Sequence, residues 1–316
     1  MSNLTTRVLV ALAGAPLVIA ATVAGGWWFF GFGALVSTLG LREYYDLARA
    51  KGAKPHAGIG LLLGIGILTV FFFDRFRYAV VSLFVNAGTS VPFPSQTQWL
   101  LILLLIFVPW LTLRELFRNQ GSALLNVAST LLGTFYVSFF FGCLVGLREL
   151  FTPADFPMHR FFSYAGVHAP DDILAVVYRW GGLTLLVVLV SIWMCDSAAF
   201  FAGRAFGKHK LFERVSPKKT WEGAGAGFLA AVATFVLGQS FVIQYLSVGE
   251  AVVCGVIVGI FGQAGDLFES LLKRDAGVKD SSTLIPGHGG ILDRFDSLMF
   301  VSPLLYLYLD FVVFRL

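Results

Sequence analysis

The chain contains few charged residues for its length. They account for 13% of its 316 residues, whereas about 25% is usual for a soluble domain, and hydrophobic residues account for 57%. The mean hydropathy is correspondingly high, at +0.79. Because long continuous apolar runs suit helices and not the alternating strands of a membrane barrel, we expect an all-α, polytopic integral membrane protein. The modest net charge of +4 indicates no nucleic-acid partner.

Cysteine and histidine are also scarce, with three and five residues respectively. The cysteines lie in apolar runs and no CxxC spacing occurs, which favours packing roles over disulfides or metal ligands. They are Cys143, Cys195 and Cys254. We assign no role to four histidines that share no ligand spacing, namely His56, His159, His168 and His209.

About nine apolar runs come close to the roughly 20 residues that a transmembrane helix needs. We predict spans at 8–24, 29–48, 57–73, 99–113, 122–147, 181–203, 223–246, 251–272 and 298–314. The second span ends in Arg42-Glu43-Tyr44-Tyr45. This segment is a third candidate for the site, and we prefer anchoring at the membrane interface as its role. The segment 78–91 is apolar, but it is short and contains Asn86 and Gly88. We therefore interpret it as a loop or a re-entrant piece.

The distribution of basic residues favours nine spans over ten. With nine spans and the N-terminus inside, most of the 23 lysines and arginines lie on one side of the membrane, as the positive-inside rule requires. A tenth span at 78–91 weakens this bias. With nine spans, the connections after the sixth and eighth spans lie on the same cytoplasmic face.

The connection after the eighth span begins inside an apolar run. Near the end of that run, Asp266 and Glu269 share one helix face with Ser270, Lys273 and Arg274. A charged residue at the centre of a span costs about 2.5–3.5 kcal/mol, and less near its end. We therefore expect these acids to face protein, water or a cation.

A glycine-rich run and two further aspartates follow. The run Pro286-Gly287-His288-Gly289-Gly290 allows backbone N–H groups to approach an anion closely. Asp293 and Asp296 are three positions apart and share a face of the next helix. Two or three carboxylates with water are typical of Mg²⁺ sites that substrate phosphates complete. The alternative, an ordinary charged loop, leaves the buried Asp266 and the glycine run unexplained.

The connection after the sixth span carries a second polar constellation. Asp196 interrupts the apolar run, and Arg204 lies on the same helix face. Hydroxyls then flank paired lysines in the run SPKKT at 216–220, an arrangement that suits phosphate oxygens. The alternative is a positive-inside loop followed by an ordinary helix start at Thr220.

These two segments resemble the signature of a known enzyme family. The run from Ser270 to Asp296, with DSAAFFAGRAFGK and SPKKTWEG between Asp196 and Gly223, is similar to phosphatidate cytidylyltransferases, also called CDP-diacylglycerol synthases. The resemblance implies a homodimeric membrane enzyme that converts CTP and phosphatidic acid into CDP-diacylglycerol and pyrophosphate. It also implies Mg²⁺, a monovalent cation such as K⁺, and a metal site formed by Asp266, Asp293 and Asp296.

The residues suit this chemistry, because a lipid phosphate is already a nucleophile and the protein only has to position two anions and neutralise charge. The predicted Mg²⁺ ligands Asp266, Asp293 and Asp296 are also predicted catalytic residues, together with Lys273, Arg274 and Arg294. The predicted substrate-binding residues are Asp196, Arg204, Ser216, Lys218, Lys219, Thr220, Lys279, Asp280, His288 and Gly289. We expect the site at the cytoplasmic face of a bacterial plasma (inner) membrane, open to membrane lipid at headgroup level.

Other classes fit parts of the pattern. A CTP-dependent lipid kinase would transfer the γ-phosphate and release CDP. An ion-coupled transporter also has acids inside spans, but it needs no dense cluster of charges and glycines on one face. A CDP-alcohol phosphotransferase is disfavoured because its DGxxAR…GxxxDxxxD pattern is absent. On the preferred interpretation the chain has N-terminal transmembrane helices at 1–147, a non-cytoplasmic loop at 148–180 and a transmembrane catalytic region at 181–316.

Overall fold

The computed structural model describes residues 3–89, 92–152, 156–158 and 171–315, and helices dominate this part of the chain. The ten main helices are α1 Asn3–Ala24, α2 Gly26–Ala50, α3 Ala57–Phe71, α4 Phe73–Asn86, α5 Gln96–Leu116, α6 Ala123–Glu149, α7 Asp171–Phe206, α8 Trp221–Phe241, α9 Val248–Asp275 and α10 Leu292–Val313. Two short antiparallel strands, β1 Lys210–Phe212 and β2 Ser216–Thr220, join α7 to α8 as a hairpin. The predicted all-α polytopic class is confirmed.

Fewer helices than the predicted nine meet strict criteria for a membrane span. Among the described residues, α5 to α10 are long and apolar enough, and α3 with α4 would make a seventh span if counted as one bent unit. The apolar part of α1 at Leu12–Ala24 is too short, and α2 ends in several charged residues. Each predicted span nevertheless coincides with a helix, because the apolar runs that defined the spans also form the helices.

Two predicted connections are partly helical in the described residues. The segment 78–91, expected to be a loop or a re-entrant piece, is covered by α4 as far as Asn86. The bend of 98° between α3 and α4 is compatible with a re-entrant piece or with a broken span. The expected loop at 148–180 is shorter, since α6 extends to Glu149 and α7 begins at Asp171. Within that loop, residues 153–155 and 159–170 lie outside the described part of the chain.

Local sequence signals explain where several helices begin. Ser95 and Gln98 form a capping box at the start of α5, and Ser247 and Glu250 form another at the start of α9. In each box the serine side chain accepts a hydrogen bond from a backbone N–H that lacks a partner within the helix. The Gln or Glu side chain in turn accepts a hydrogen bond from the backbone N–H of the serine. These polar residues therefore fix the helix starts within an otherwise apolar sequence.

α7 and α8 approach each other closely at small residues. A Cβ atom on Gly223 would lie 2.6 Å from the carbonyl oxygen of Ala199, and one on Gly227 would lie 2.8 Å from that of Cys195. Only glycine lets the two backbones approach this closely. Thr220 ends β2 and caps α8 by accepting a hydrogen bond from the Gly223 N–H at 3.2 Å. The hairpin is thus held between the ends of two packed helices.

The helices alternate in direction, so both polar connections lie at one end of the bundle. α7 ends and α8 begins at the hairpin, whereas α9 ends and α10 begins at the glycine-rich connection. Residues of both connections line a common cavity. This end of the molecule is therefore where the two predicted constellations meet.

Candidate active site

A cavity of about 820 Å³, termed the polar cavity, lies at the end of the bundle where the two polar connections meet. Helices α7, α8, α9 and α10 and the hairpin all contribute to its wall. Most of the predicted site residues line it, namely Asp196, Arg204, Lys218, Lys219, Thr220, Asp266, Lys273, Arg274, Lys279, Asp280, Asp293, Arg294 and Asp296. Side chains that are far apart in sequence are therefore brought to one chamber.

Three of the five aspartates that line this cavity come from three different helices. Asp196 lies on α7, Asp266 on α9 and Asp296 on α10, and Asp296 experiences the like charge of both others. Asp266 pairs with Lys219 of β2 at 2.7 Å, and Asp296 accepts a hydrogen bond from the Ser297 N–H at 2.7 Å. Repulsion among nearby carboxylates is relieved by a bound cation.

These carboxylates provide oxygen ligands of the kind that Mg²⁺ prefers. In the described part of the chain, no three His, Cys, Asp or Glu side chains are close enough together to make a complete metal cluster. Mg²⁺ does not require one, because it is usually held by one or two carboxylates together with water and substrate phosphates. The donor set of Asp266 and Asp296 therefore fits this ion.

Asp293 has a different environment from the other aspartates, because its carboxylate is already surrounded by donors. Oδ1 accepts a hydrogen bond from Lys273 Nζ at 2.5 Å, and Oδ2 accepts from the N–H groups of Ser281 and Gly290 at 2.9 and 2.8 Å. The Ser281 hydroxyl also lies 2.9 Å from Oδ2. These contacts let Asp293 organise the glycine-rich connection, and its assignment as a Mg²⁺ ligand stays a prediction.

Lys273 links Asp293 to a second buried acid. Its ammonium group also pairs with Glu269, one helical turn earlier on α9, and the Glu269 side chain is only 1% exposed. The predicted shared face of α9 therefore contains an ion pair as well as the cavity-facing Asp266. Arg274 instead donates a hydrogen bond to the carbonyl oxygen of Val278 at 3.1 Å, which helps to fix the start of the following connection.

The glycine-rich run packs against carboxylates. Gly287 and Gly289 have φ values of +76° and +84°, in the region that favours glycine. A Cβ atom on Gly290 would lie 2.0 Å from Ser281 Oγ and 2.4 Å from Glu43 Oε2. Gly289 lines neither of the two cavities described here. Where an N–H group of this run has a described hydrogen-bond partner, that partner is an oxygen atom of the protein itself.

Glu43 of α2 contacts the connection that carries the glycine-rich run, although the sequence analysis preferred another role for it. It was assigned to the membrane interface, but it is 4% exposed and contacts the connection between α9 and α10. A signal existed: Val36, Gly40, Glu43 and Leu47 recur at helical spacing and all lie on the buried face of α2. A carboxylate on such an apolar face needs buried donors.

A second cavity, of about 510 Å³ and termed the apolar cavity, adjoins the polar cavity. Its wall is formed mainly by apolar side chains of α1, α7 and α10, including Val18, Ile192 and Leu298. It shares five residues with the polar cavity, namely Asp196, Asp293, Arg294, Asp296 and Ser297. His288 lines only the apolar cavity, and its buried Nδ1 has no described hydrogen-bond partner.

Ser216 is the predicted residue that the structure separates most clearly from the cavities. It pairs with Phe212 in the hairpin and lines neither cavity. Its neighbours on the same strand do line the polar cavity, so β2 presents the lysines there and uses Ser216 for its pairing.

A bundle of helices long and apolar enough to span a membrane, with a cation-rich, acid-containing cavity beside an apolar one, suits an enzyme that acts on phosphorylated substrates at a membrane. Residues 5–312 match the model of the cytidylyltransferase family, and the chain belongs to that family. It is accordingly a nucleotidyltransferase, as predicted.

The chain is similar to relatives from bacteria and plants. It is 33% identical to a phosphatidate cytidylyltransferase of Synechocystis, over 96% of this chain and 95% of the relative. It is 32% identical to phosphatidate cytidylyltransferase 5, chloroplastic, of Arabidopsis thaliana, over 90% of this chain and 66% of the relative. The phosphatidate cytidylyltransferase of Bacillus subtilis is 46% identical over 40% of this chain and 47% of the relative.

Proposed function

We propose that this protein transfers the cytidylyl group of CTP to phosphatidic acid, giving CDP-diacylglycerol and pyrophosphate. The observation that carries the proposal is the junction of the polar and apolar cavities at Asp196, Asp293, Arg294, Asp296 and Ser297. A highly charged soluble substrate and a lipid can reach the same atoms from two sides. The names of the relatives support phosphatidate as the acceptor.

The polar cavity suits a nucleoside triphosphate. Lys218, Lys279 and Arg294 line it, and none of them forms an ion pair with an acid in the described residues. Cations without a protein counter-ion are available to phosphate oxygens, and the guanidinium of Arg294 can bind two oxygens at once. Lys219 is held against Asp266, which orients it beside the site where a cation would bind.

The apolar cavity suits acyl chains. It lies between α1, α7 and α10, and its apolar wall leads to the shared residues at the junction. Burial of acyl methylenes contributes about 0.8 kcal/mol each, so such a groove can hold a lipid while its phosphate lies beside Arg294. His288 lines this cavity near the junction and would donate a hydrogen bond to the lipid phosphate.

The transfer requires one bond to form and one to break. An oxygen of the lipid phosphate attacks the α-phosphorus of CTP, and the α–β bridging oxygen leaves with its electron pair on pyrophosphate. No side chain has to act as a covalent nucleophile, since the phosphate is already anionic. The lysines and arginines bind the oxygens on which charge grows. Mg²⁺ supplies further neutralisation of that charge when Asp266 and Asp296 hold it.

The surroundings of the site are part of the proposal. With nine spans, most of the lysines and arginines would lie on the side of the two polar connections, and by the positive-inside rule we propose that this side is cytoplasmic. We propose a bacterial plasma (inner) membrane location, a homodimer, and a monovalent cation such as K⁺ beside Mg²⁺. The carboxylate of Asp196, which lines the polar cavity, would bind this second cation.

Two parallel reactions test the function. Purified protein in detergent receives phosphatidic acid, Mg²⁺ and CTP labelled either at the α-phosphate or at the γ-phosphate. Cytidylyl transfer moves the α-label into extractable lipid and releases the γ-label as pyrophosphate, with one pyrophosphate per lipid formed. Transfer of the γ-label into lipid, with CDP released, would instead establish a lipid kinase.

The negative result is also informative. If folded protein consumes no CTP with phosphatidic acid or with several other lipids, the proposal is wrong. Substrate flux without nucleotide consumption in proteoliposomes would then identify a transporter. The matched variants are Asp296→Asn at the cavity junction, which should be inactive, and Asp275→Asn on the exposed end of α9, which should retain full activity.

A further inference from the structure

Glu43 makes an unusual set of contacts for an acid on a membrane-protein helix. Its Oε1 accepts hydrogen bonds from the Ser282 hydroxyl at 2.6 Å and from the Ile291 N–H at 2.9 Å. Its Oε2 accepts from the Leu292 N–H at 2.9 Å, and the Ser281 hydroxyl lies 2.8 Å away. One buried carboxylate of α2 therefore satisfies donors from both ends of the connection between α9 and α10.

The negative charge of Glu43 is stabilised by dipoles. In the described part of the chain no lysine, arginine or histidine forms an ion pair with it, although it is 4% exposed. The N–H groups of Ile291 and Leu292 belong to the first turn of α10, where the helix dipole favours a negative charge. Glu43 of α2 thus caps α10, although the two helices are far apart in the sequence.

The same contacts couple Glu43 to Asp293. The Ser281 hydroxyl lies 2.8 Å from Glu43 Oε2 and 2.9 Å from Asp293 Oδ2, so its single proton serves two carboxylates. The backbone N–H groups of Gly290, Ile291 and Leu292 are divided between these acids, one to Asp293 and two to Glu43. The two carboxylates together fix the start of α10.

The start of α10 carries the residues at the cavity junction. Asp293, Arg294 and Asp296 all lie within its first turns and line both cavities. Glu43 itself lines neither cavity. A group so arranged does not contact the substrates and acts on the reaction through the residues that it holds.

We infer that Glu43 is a positioning residue, which fixes the first turn of α10 so that Asp293, Arg294 and Asp296 meet both substrates. The reaction it serves is the proposed cytidylyl transfer, on which this inference rests. Partners that orient ligating or substrate-binding groups typically cost about 10–100-fold in activity or metal affinity when they are removed.

The direct test compares Glu43→Gln with Asp46→Asn as a control on the same helix. The Asp46 side chain is 65% exposed and forms an ion pair with Arg49. The glutamine amide keeps one acceptor oxygen, but an NH₂ group replaces the other oxygen. This donor would face backbone N–H groups, which are donors too. We expect kcat per folded molecule to fall about 10–100-fold and the Mg²⁺ midpoint to rise. The KM for CTP should rise as well, because Arg294, whose position depends on Glu43, lines the polar cavity.

A second readout does not depend on activity. Hydrogen exchange of the peptide spanning 280–292 reports whether the Ile291 and Leu292 amides are released. In Glu43→Gln this peptide should exchange at least about tenfold faster, while a peptide from α8 keeps its rate. If Glu43→Gln accelerates exchange but the wild-type protein turns over no CTP, the proposed function is wrong. The capping role of Glu43 would still be supported by that result.

A smaller change keeps the inference testable if Glu43 variants do not fold. Ser281→Ala removes the hydroxyl shared by the two carboxylates and should lower kcat less than Glu43→Gln does. Because both changes act on one network, the double variant should be little slower than Glu43→Gln alone. Wild-type kcat and Mg²⁺ midpoint in folded Glu43→Gln would overturn the inference, as would strictly additive losses in the double variant. Where no Glu43 variant folds, wild-type kcat and Mg²⁺ midpoint in Ser281→Ala would overturn it.

Discussion

Lys273 lies between two buried carboxylates, and its replacement has a consequence that can be worked from the structure. Its Nζ contacts Asp293 Oδ1 at 2.5 Å and also pairs with Glu269. The side chains of these acids are 4% and 1% exposed. Lys273→Met keeps the apolar stem and removes the charge. Removing one member of a buried ion pair costs about 3–5 kcal/mol, so the unfolding equilibrium should shift by more than about a hundredfold.

Most of this cost should fall on Glu269. Asp293 still accepts hydrogen bonds from the Ser281 and Gly290 N–H groups when Lys273 is absent. Neither carboxylate oxygen of Glu269 has another described hydrogen-bond partner. An uncompensated buried charge is the main penalty, so adding Glu269→Gln to Lys273→Met should recover most of the lost stability.

The assay is unfolding in mixed micelles, followed by tryptophan fluorescence, with the thermal midpoint as a second measure. Lys279→Met is the matched control, because Lys279 is exposed on the connection after α9, and its midpoint should equal that of the wild type. If Lys273→Met is as stable as the control, or if the added Glu269→Gln restores nothing, the ion pair does not have the energetic role assigned to it.

Three further predictions concern the cavities and the glycine-rich run. Asp266→Asn should lower kcat by at least about 100-fold and raise the Mg²⁺ midpoint in a metal titration, because a cation and Lys219 would lose a charged partner. Gly14 lines the apolar cavity and has open space around it, so Gly14→Phe should raise the KM for phosphatidic acid about tenfold and leave the KM for CTP unchanged in initial-rate assays. Gly290→Ala would force a Cβ atom against Ser281 and Glu43 and should lower stability by about 1–3 kcal/mol, whereas Gly225→Ala, with no neighbour within 4 Å, should not destabilise the protein in the same unfolding assay.

The helices and the location of the site could be predicted because both depend on local sequence. Long apolar runs form helices wherever they occur, and the bias of basic residues orders their ends relative to the membrane. The acids inside apolar runs, such as Asp196 and Asp266, were expected to face protein, water or a cation. They line the polar cavity. No tertiary information was needed for this part.

The remaining features depend on contacts between distant segments. The start of α7 at Asp171 was missed, because the first turns of this helix are not uniformly apolar. Glu43 was assigned to the interface because its donors lie on the far side of the sequence, at Ser281 and beyond. The hydrogen bonds that Asp293 accepts from Ser281 and Gly290 likewise depend on how the connection folds back, which the sequence alone does not show.

The contact between Glu43 and Ser281 also has a consequence for synthesis of the chain. The two residues are 238 positions apart, and chains grow at about 5–20 residues per second, so α2 exists for roughly 10–50 s before the first of its donors is made. During that interval its carboxylate has to remain solvated or paired with a temporary donor, since an unsatisfied buried charge is costly. α10, which emerges long after α2, therefore completes the cavity junction, and a chain truncated before α10 leaves an early helix with an exposed polar defect that quality-control proteases can recognise.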